Sequence, residues 1–287
     1  MNRNRTQMAQ PRLDADALAR LAARLTLRDH ALLDHIHEHR VLTTHQIQKI
    51  FFTQPQTARR RLHILRQLGA LTRFRPWTAQ GSSPGHWVLG RAGAAVLASR
   101  RGITVAELGY RPDMAISICF SPRLGHLVGV NEFFADVHAC ARRSSGSAVR
   151  EWWSERRCAQ MWGDLAHPDA YGRWLEDGRE VDFFLEHDTG SEQLGKVAAK
   201  LIDYANLAEA TNITTPVLLW LPGNRREVHL RELLTTPEVP VATAVQTSIG
   251  DGPAGPVWLP VGSTGPRLRL SQLPGAWLDR AGAIEES

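Results

Sequence analysis

The chain of 287 residues is long enough for two domains, and its 43% hydrophobic and 22% charged residues are an ordinary globular composition that excludes long disorder. No apolar run approaches the roughly 18 residues of a membrane helix, and three scattered cysteines without C-x-x-C spacing exclude a disulfide framework and a thiolate zinc site. The net charge of +5 is the sum of +12 over residues 1–111 (18 basic, 6 acidic) and −7 over residues 112–287 (16 basic, 23 acidic), which predicts a polyanionic partner for the first part.

The first part of the chain begins with a basic arm and lead-in helix, assigned to residues 1–27. Three helices and then two short strands are predicted over residues 28–40, 44–52, 55–68, 70–75 and 86–89. Thr43 or Thr44 suits the N-cap of the second helix, and Gly69 suits a left-handed end of the third. Helices closed by a two-stranded wing are typical of a winged helix-turn-helix domain, predicted here for residues 28–111.

The third of these helices has one apolar and one basic face. At about 100° per residue, an apolar stripe collects Ala58, Leu62, Leu65 and Leu68. Arg and Gln can each make two hydrogen bonds to a base edge, and Arg neutralises phosphates. We therefore predict a DNA-binding surface on the opposite face and its margins, extended by two wing arginines: Gln56, Arg59, Arg60, His63, Arg66, Gln67, Arg73 and Arg75. A solvated amphipathic helix and a protein-binding winged helix are the alternatives.

Beyond a connector near residue 111, the predicted elements are a helix, a strand, a hairpin, a helix and a strand, over residues 123–143, 148–156, 167–188, 192–208 and 216–221. This order predicts a mixed α/β layer structure, so the whole chain is expected to be an α+β protein of two domains. The second domain is assigned to residues 112–236 and a Pro/Gly-rich C-terminal extension to residues 237–287.

The hairpin carries a cluster of carboxylates. Asp177-Gly178 is a strong two-residue turn signal, and with this turn Asp169 lies opposite Glu186 while Asp188 shares the same face. Because opposed like charges are destabilising, a hard divalent cation is the natural compensation. We therefore predict that Asp169, Glu186 and Asp188 bind Mg²⁺ or Mn²⁺, with a solvent-screened hairpin face as the alternative.

The helix after the hairpin contains two of the three lysines of the chain, Lys196 and Lys200. With Glu192 and Tyr204 they recur every four residues along a polar stripe, which is compatible with a ladder of ion pairs. The alternative is that Lys196 or Lys200 reaches the carboxylates and assists a water nucleophile.

Pro168-Asp169 and the strand end Glu186-His187-Asp188 resemble the PD-(D/E)xK nuclease core, which implies a restriction-endonuclease-like domain with a mixed central sheet. The resemblance implies that the acids bind the metal and that a lysine supports the attacking water. Asp188 stands where that lysine is usual, so Lys196 or Lys200 would have to supply the charge from the helix. Glu132, in the preceding helix, lies where some members carry another acid.

From about Leu32 to Trp258 the chain also resembles the replication-relaxation family of plasmids and other mobile elements. The resemblance is carried by LTTHQIQKIFF, the Arg-rich helix, GHWVLGRAG, HLVGVNEFF, PDAY and FFLEHDTGSEQLGKVAAKLIDY. It implies a role in plasmid replication and DNA relaxation without establishing a catalytic mechanism.

These features predict a protein that binds double-stranded DNA through the winged helix and acts on the phosphodiester backbone through a Mg²⁺- or Mn²⁺-dependent second domain. A non-catalytic replication or transcription factor, whose second domain binds DNA or mediates assembly, is the first alternative, and a protein-interaction adaptor is the second. We expect a cytoplasmic location, no membrane partner and no nucleotide cofactor, since no Walker loop is present. The sequence leaves the oligomeric state open, with a homodimer among the options.

Overall fold

The structure is a computed structural model that describes residues 15–77, 81 and 83–277. Within these residues it is a mixed α+β fold with ten α-helices and two sheets, one of three strands and one of six. The chain divides into two compact units, residues 1–124 and residues 125–287. We expected the division near residue 111, but a short helix at Pro112–Ser117 lies against the second wing strand and so belongs with the first unit. The expected arm at residues 1–14 lies outside the described residues.

The first unit has six helices and three strands in its described part. In chain order they are α1 (Ala15–Ala22), α2 (Leu27–His39), β1 (Leu42–Thr43), α3 (Thr44–Phe51), α4 (Pro55–Gln67), β2 (Leu71–Phe74), β3 (His86–Leu89), α5 (Arg91–Arg100) and α6 (Pro112–Ser117). The strands form an antiparallel sheet in the order β1-β3-β2. The predicted helices and wing strands occur within one or two residues of their expected bounds, and β1 is an addition.

Capping residues explain where the helices of this unit begin and end. Of the two candidate N-caps, Thr43 caps α3 in a capping box with Gln46, and Thr26 caps α2 in the same way with Asp29. Gly69 follows α4 with a φ of +70°, the left-handed conformation expected at that position. These local signals fix the helix boundaries because each one supplies a partner for an end group that the helix itself leaves unpaired.

A buried ion pair joins α2 to α4. Asp29 is 1% exposed, and its carboxylate accepts a hydrogen bond of 2.8 Å from Arg61 Nε. Arg61 also donates to the backbone oxygen of Arg24 at 3.0 Å. Although Arg61 lies in the run of three arginines on α4, its guanidinium stabilises the contact between α4 and α2.

The second unit is built on the six-stranded sheet. Its elements are α7 (Leu124–Ala141), β4 (Ser147–Ser154), α8 (Glu155–Trp162), β5 (Ala170–Glu176), β6 (Arg179–His187), α9 (Leu194–Thr211), β7 (Val217–Leu221), α10 (Asn224–Leu233), β8 (Val241–Val245) and β9 (Leu259–Pro260). The strand order is β4-β5-β6-β7-β8-β9. Pairs β6-β7 and β7-β8 are parallel and the other three are antiparallel, so the sheet is mixed.

The β5-β6 hairpin has the register that its turn predicts. Asp177 and Gly178 both have positive φ, and the ladder runs from Glu176↔Arg179 to Ala170↔Leu185. Strand β6 lies between β5 and β7, which confirms the prediction that its apolar run belongs to a central strand.

Alternate residues of β6 face two different layers. Phe183 packs against Phe133 and Phe134 of α7, whereas Phe184 packs against Tyr204 of α9 on the other face. The buried side chains around Phe184 include Val197, Leu201 and Leu207 of α9 and Val217, Leu219 and Leu221 of β7. The sheet is therefore covered by α7 on one face and by α9 on the other.

Two segments of this unit differ from the expected elements. The strand expected over residues 148–156 ends at Ser154, which caps the unpredicted helix α8 by accepting a hydrogen bond from the backbone N–H of Arg157. Residues 237–287 were expected to form an extension, but β8 and β9 belong to the sheet. Arg267 of this segment pairs with the buried carboxylate of Glu227 on α10 at 2.6 Å.

None of the helices in the described part of the chain has the length and apolar character needed to cross a membrane.

Candidate functional site

Helix α4 presents a polar face that is accessible to solvent. Its buried side is formed by Ala58, Leu62 and Leu65, each 0% exposed. The six predicted contact residues on this helix are all exposed: Gln56, Arg59, Arg60, His63, Arg66 and Gln67. The two faces divide as the helical period predicts, and α4 can therefore offer guanidinium, imidazole and amide groups to one partner without rearranging its core.

Arg73 of β2 lies near two other arginines, Arg66 in the last turn of α4 and Arg75 just after β2. Partial burial lowers the pKa of Arg73, and the positive charges of Arg66 and Arg75 lower it further. The Arg73 guanidinium also lies 5.7 Å from the centre of the Trp87 ring. Since Arg66 and Arg75 both repel Arg73, an anion bound beside Arg73 would relieve that repulsion.

On the second unit, Glu186 is the centre of the carboxylate site. It lies near the end of β6, is 4% exposed, and accepts hydrogen bonds from two residues one turn apart on α9. Lys200 Nζ donates to Oε2 at 2.8 Å, and the Tyr204 hydroxyl donates to Oε1. Burial raises the pKa of Glu186 to about 7, with a further contribution from the negative charge of Asp169, while Lys200 and Tyr204 act in the opposite direction.

Lys200 is the lysine that the fold brings to the carboxylates. Burial acts to lower the pKa of Lys200, but Glu186 outweighs it and the pKa is raised, so the ammonium is charged. Lys200 Nζ also lies 3.5 Å from Glu192. Lys196, one turn earlier, is exposed. Both interpretations of the polar stripe, an ion-pair ladder and a lysine that reaches the carboxylates, apply to Lys200, since it contacts the buried acid Glu186 and also Glu192.

Asp169 immediately precedes β5, beside Glu186. Its Oδ2 accepts a hydrogen bond of 2.8 Å from the backbone N–H of His187, and its Oδ1 lies 2.9 Å from Nε2 of His126 on α7. The two imidazole rings meet edge to face with centroids 5.5 Å apart. The contact of α7 with this carboxylate is thus made by His126.

Asp188 has a basic partner of its own, Arg226. It is 8% exposed and pairs with Arg226 of α10 through both carboxylate oxygens, one of them at 3.1 Å. The backbone N–H of Gly190 donates to it at 2.7 Å. Arg226 also donates to the backbone oxygen of Glu192, so this pair fixes the loop between β6 and α9.

The donors around each carboxylate decide which could hold a metal ion. No group of three or more His, Cys, Asp or Glu side chains within residues 15–77, 81 and 83–277 is arranged to do so. Mg²⁺, however, is commonly bound by one or two carboxylates that leave its other positions to water and substrate phosphate. Asp169 and Glu186 fit that donor set, because each carboxylate oxygen has two lone pairs and the contacts described above use one per oxygen. Asp188 does not fit, since its guanidinium partner is already a cation.

Sequence reasoning did not single out His126, Arg226 or the role of Tyr204. Tyr204 had a signal in the sequence, since it lies four residues after Lys200 on the same stripe. For His126 a hint is Gly129, where a Cβ would lie only 2.4 Å from the His187 ring. That glycine allows β6 and α7 to approach closely enough for the two histidines to meet.

A family model described as replication-relaxation matches residues 33–218, more than half of the chain. Among curated proteins and among solved structures, none matches.

Proposed function

The chain belongs to the replication-relaxation family, and on that premise we propose that it binds double-stranded DNA and acts in the replication or relaxation of a plasmid or another mobile element. The observation that carries the proposal is the exposed basic face of α4. The order α2-β1-α3-α4-β2-β3, with a three-stranded antiparallel sheet, supports a winged helix-turn-helix assignment for this part of the chain.

In this proposal α4 lies in the major groove. Arg60 and Gln56 face base edges, where Arg suits guanine and Gln suits adenine. Arg59 and Arg66 at the margins of the face contact phosphates, and the wing arginines follow the neighbouring backbone. Arg61 takes no part, because its guanidinium is bound to Asp29.

Binding to duplex DNA at increasing salt tests this function. The full chain is titrated into fluorescein-labelled duplex and the anisotropy is followed. A linear fall of log K with log salt is expected, because each phosphate contact releases about 0.9 counterion. Binding that is absent, or present without salt dependence, contradicts the proposal.

A second candidate function, cleavage of the phosphodiester backbone by a restriction-endonuclease-like unit, rests on the contact of Lys200 with Glu186 beside Asp169. Asp169 and Glu186 would hold Mg²⁺ or Mn²⁺, and the ion would supply Lewis-acid activation of the phosphate. Lys200 keeps a positive charge beside the carboxylates, where it can orient a water or stabilise an anionic oxygen. Tyr204 and the backbone N–H of His187 hold the two carboxylates in place.

Nicking of supercoiled plasmid in Mg²⁺ or Mn²⁺ tests the second candidate. Lys200→Met and Glu186→Gln are expected to abolish nicking, whereas Lys196→Met, which removes the same charge from an exposed position of the same helix, should leave it unchanged. DNA binding without nicking in either metal would favour the non-catalytic alternative, a factor whose second unit binds DNA or mediates assembly.

A further inference from the structure

The first unit displays a tryptophan almost entirely in solvent. Trp77 is 87% exposed, three residues after the end of β2. Trp87, the neighbouring tryptophan in sequence, is 4% exposed and donates its indole N–H to Thr44 at 2.9 Å. Trp87 is thus part of the core, whereas Trp77 contributes little to the packing of the unit. A side chain of this size in water is a candidate contact for a partner.

The surroundings of Trp77 indicate a partner of negative charge. Exposure alternates along this segment, so that Arg73, Arg75 and Trp77 are exposed and the residues between them are partly buried. In an extended chain, residues two apart lie on one face at a spacing of about 7 Å. Arg73 lies on β2 near Arg66 of α4, and the alternation of exposure continues past the end of the strand, so that both guanidinium groups and the indole are on the exposed side of this segment.

We propose that Trp77 is a stacking platform for an unpaired base, so that the first unit prefers DNA with a single-stranded gap to uninterrupted duplex. This inference rests on the proposed DNA-binding function and extends it to a class of substrate. Aromatic side chains that alternate with cationic groups are a common way to bind single strands, because every base has a flat face and every nucleotide a phosphate. In a duplex those faces are covered by the neighbouring bases. An indole on an arginine-lined face can use its stacking surface only where the strand is open.

The test compares two fluorescein-labelled DNAs of the same sequence, an intact duplex and a duplex with a short single-stranded gap. The full-length chain is expected to bind the gapped DNA about 5- to 150-fold more tightly, the range of one stacked base. Trp77→Ala should bring the ratio of the two dissociation constants close to one, and Trp77→Phe should retain part of the preference because a ring remains. Phe120→Ala removes another aromatic of the same unit, 83% exposed, and should retain the full preference.

Equal affinity of the unsubstituted chain for the two DNAs overturns the inference and leaves DNA binding intact. A preference for gapped DNA that Trp77→Ala retains also overturns it. If Trp77→Ala weakens binding to both DNAs by the same factor, the indole is a contact to duplex and the stacking role is wrong. Failure of the unsubstituted chain to bind either DNA would refute the proposed function together with this inference.

Discussion

Removing two arginines from the margin of α4 separates contact with DNA from the general attraction of a basic surface. Arg59 and Arg66 are both exposed. If each contacts one phosphate, the double substitution Arg59→Ala/Arg66→Ala lowers the slope of log K against log salt by about 1.8, since each contact contributes about 0.9. If the two proteins bind equally at 1 M salt, where ion release no longer contributes, the variant binds about 60-fold more weakly than the unsubstituted chain at 0.1 M salt.

The matched control removes the same charge from the same unit. Arg100 and Arg101 both pair with Asp34, at 3.1 and 2.9 Å, and lie at and just after the end of α5. The substitution Arg100→Ala/Arg101→Ala is expected to change the slope by much less, because long-range attraction alone is affected. Fluorescence anisotropy at four or more salt concentrations gives both slopes. Slopes that fall by the same amount in the two variants would refute the assignment of α4 as the contact surface.

The remaining predictions concern stability. Burial acts to raise the pKa of Asp29, but the hydrogen bonds from Arg61 and Thr26 outweigh it and the pKa is lowered. The Asp29 carboxylate therefore stabilises the fold above its ordinary pKa, and this contribution is lost as the pH falls through the pKa of Asp29 in the folded chain. Thermal unfolding between about pH 5 and 3 should therefore be less pH-dependent in Asp29→Asn than in the unsubstituted chain. Arg267→Ala should cost about 3 kcal/mol in urea unfolding, because it leaves the carboxylate of Glu227 buried without its cation. A cost below about 0.5 kcal/mol would show that the pair of Arg267 with Glu227 does not stabilise the second unit.

The parts of the fold that could be predicted from the sequence are those determined by short-range signals such as turns and helix caps. The turn Asp177-Gly178 fixed the register of a hairpin because both residues adopt positive φ, and a two-residue loop leaves no freedom in the pairing. Thr43 and Gly69 marked helix ends because a cap acts within a few residues of itself. The exposed face of α4 followed from the helical period alone.

At the start of helix α8, a strand signal and a helix-cap signal lie next to each other in the sequence. The run Trp152-Trp153 favours a strand, and no Gly or Pro separates it from the helix that begins at Glu155. The change of structure depends on the Ser154 hydroxyl, which accepts from the N–H of Arg157. A serine at that position is also compatible with a continuing strand, so the sequence alone did not distinguish the two structures.

The carboxylates of the second unit could be grouped from the sequence, but their partners could not. We expected a divalent cation to relieve the repulsion between them. In the structure, each acid meets a basic side chain from a different helix: His126 of α7 for Asp169, Lys200 of α9 for Glu186, and Arg226 of α10 for Asp188. These contacts depend on how three helices pack around one sheet, which no local pattern encodes.

These three ion pairs bear on which of the acids could bind a divalent ion. Arg226 is permanently charged and donates to both oxygens of Asp188, so a cation at that acid would have to displace it and leave a partly buried guanidinium without its carboxylate. The partners of the other two acids are held less tightly. An imidazole can be neutral, and the Lys200 side chain is 38% exposed and also contacts Glu192. A divalent ion could therefore join Asp169 and Glu186 while Lys200 turns toward a phosphate. Asp188 then acts with Arg226 as the support of the loop that leads into α9, and the site that remains has two acids and one lysine.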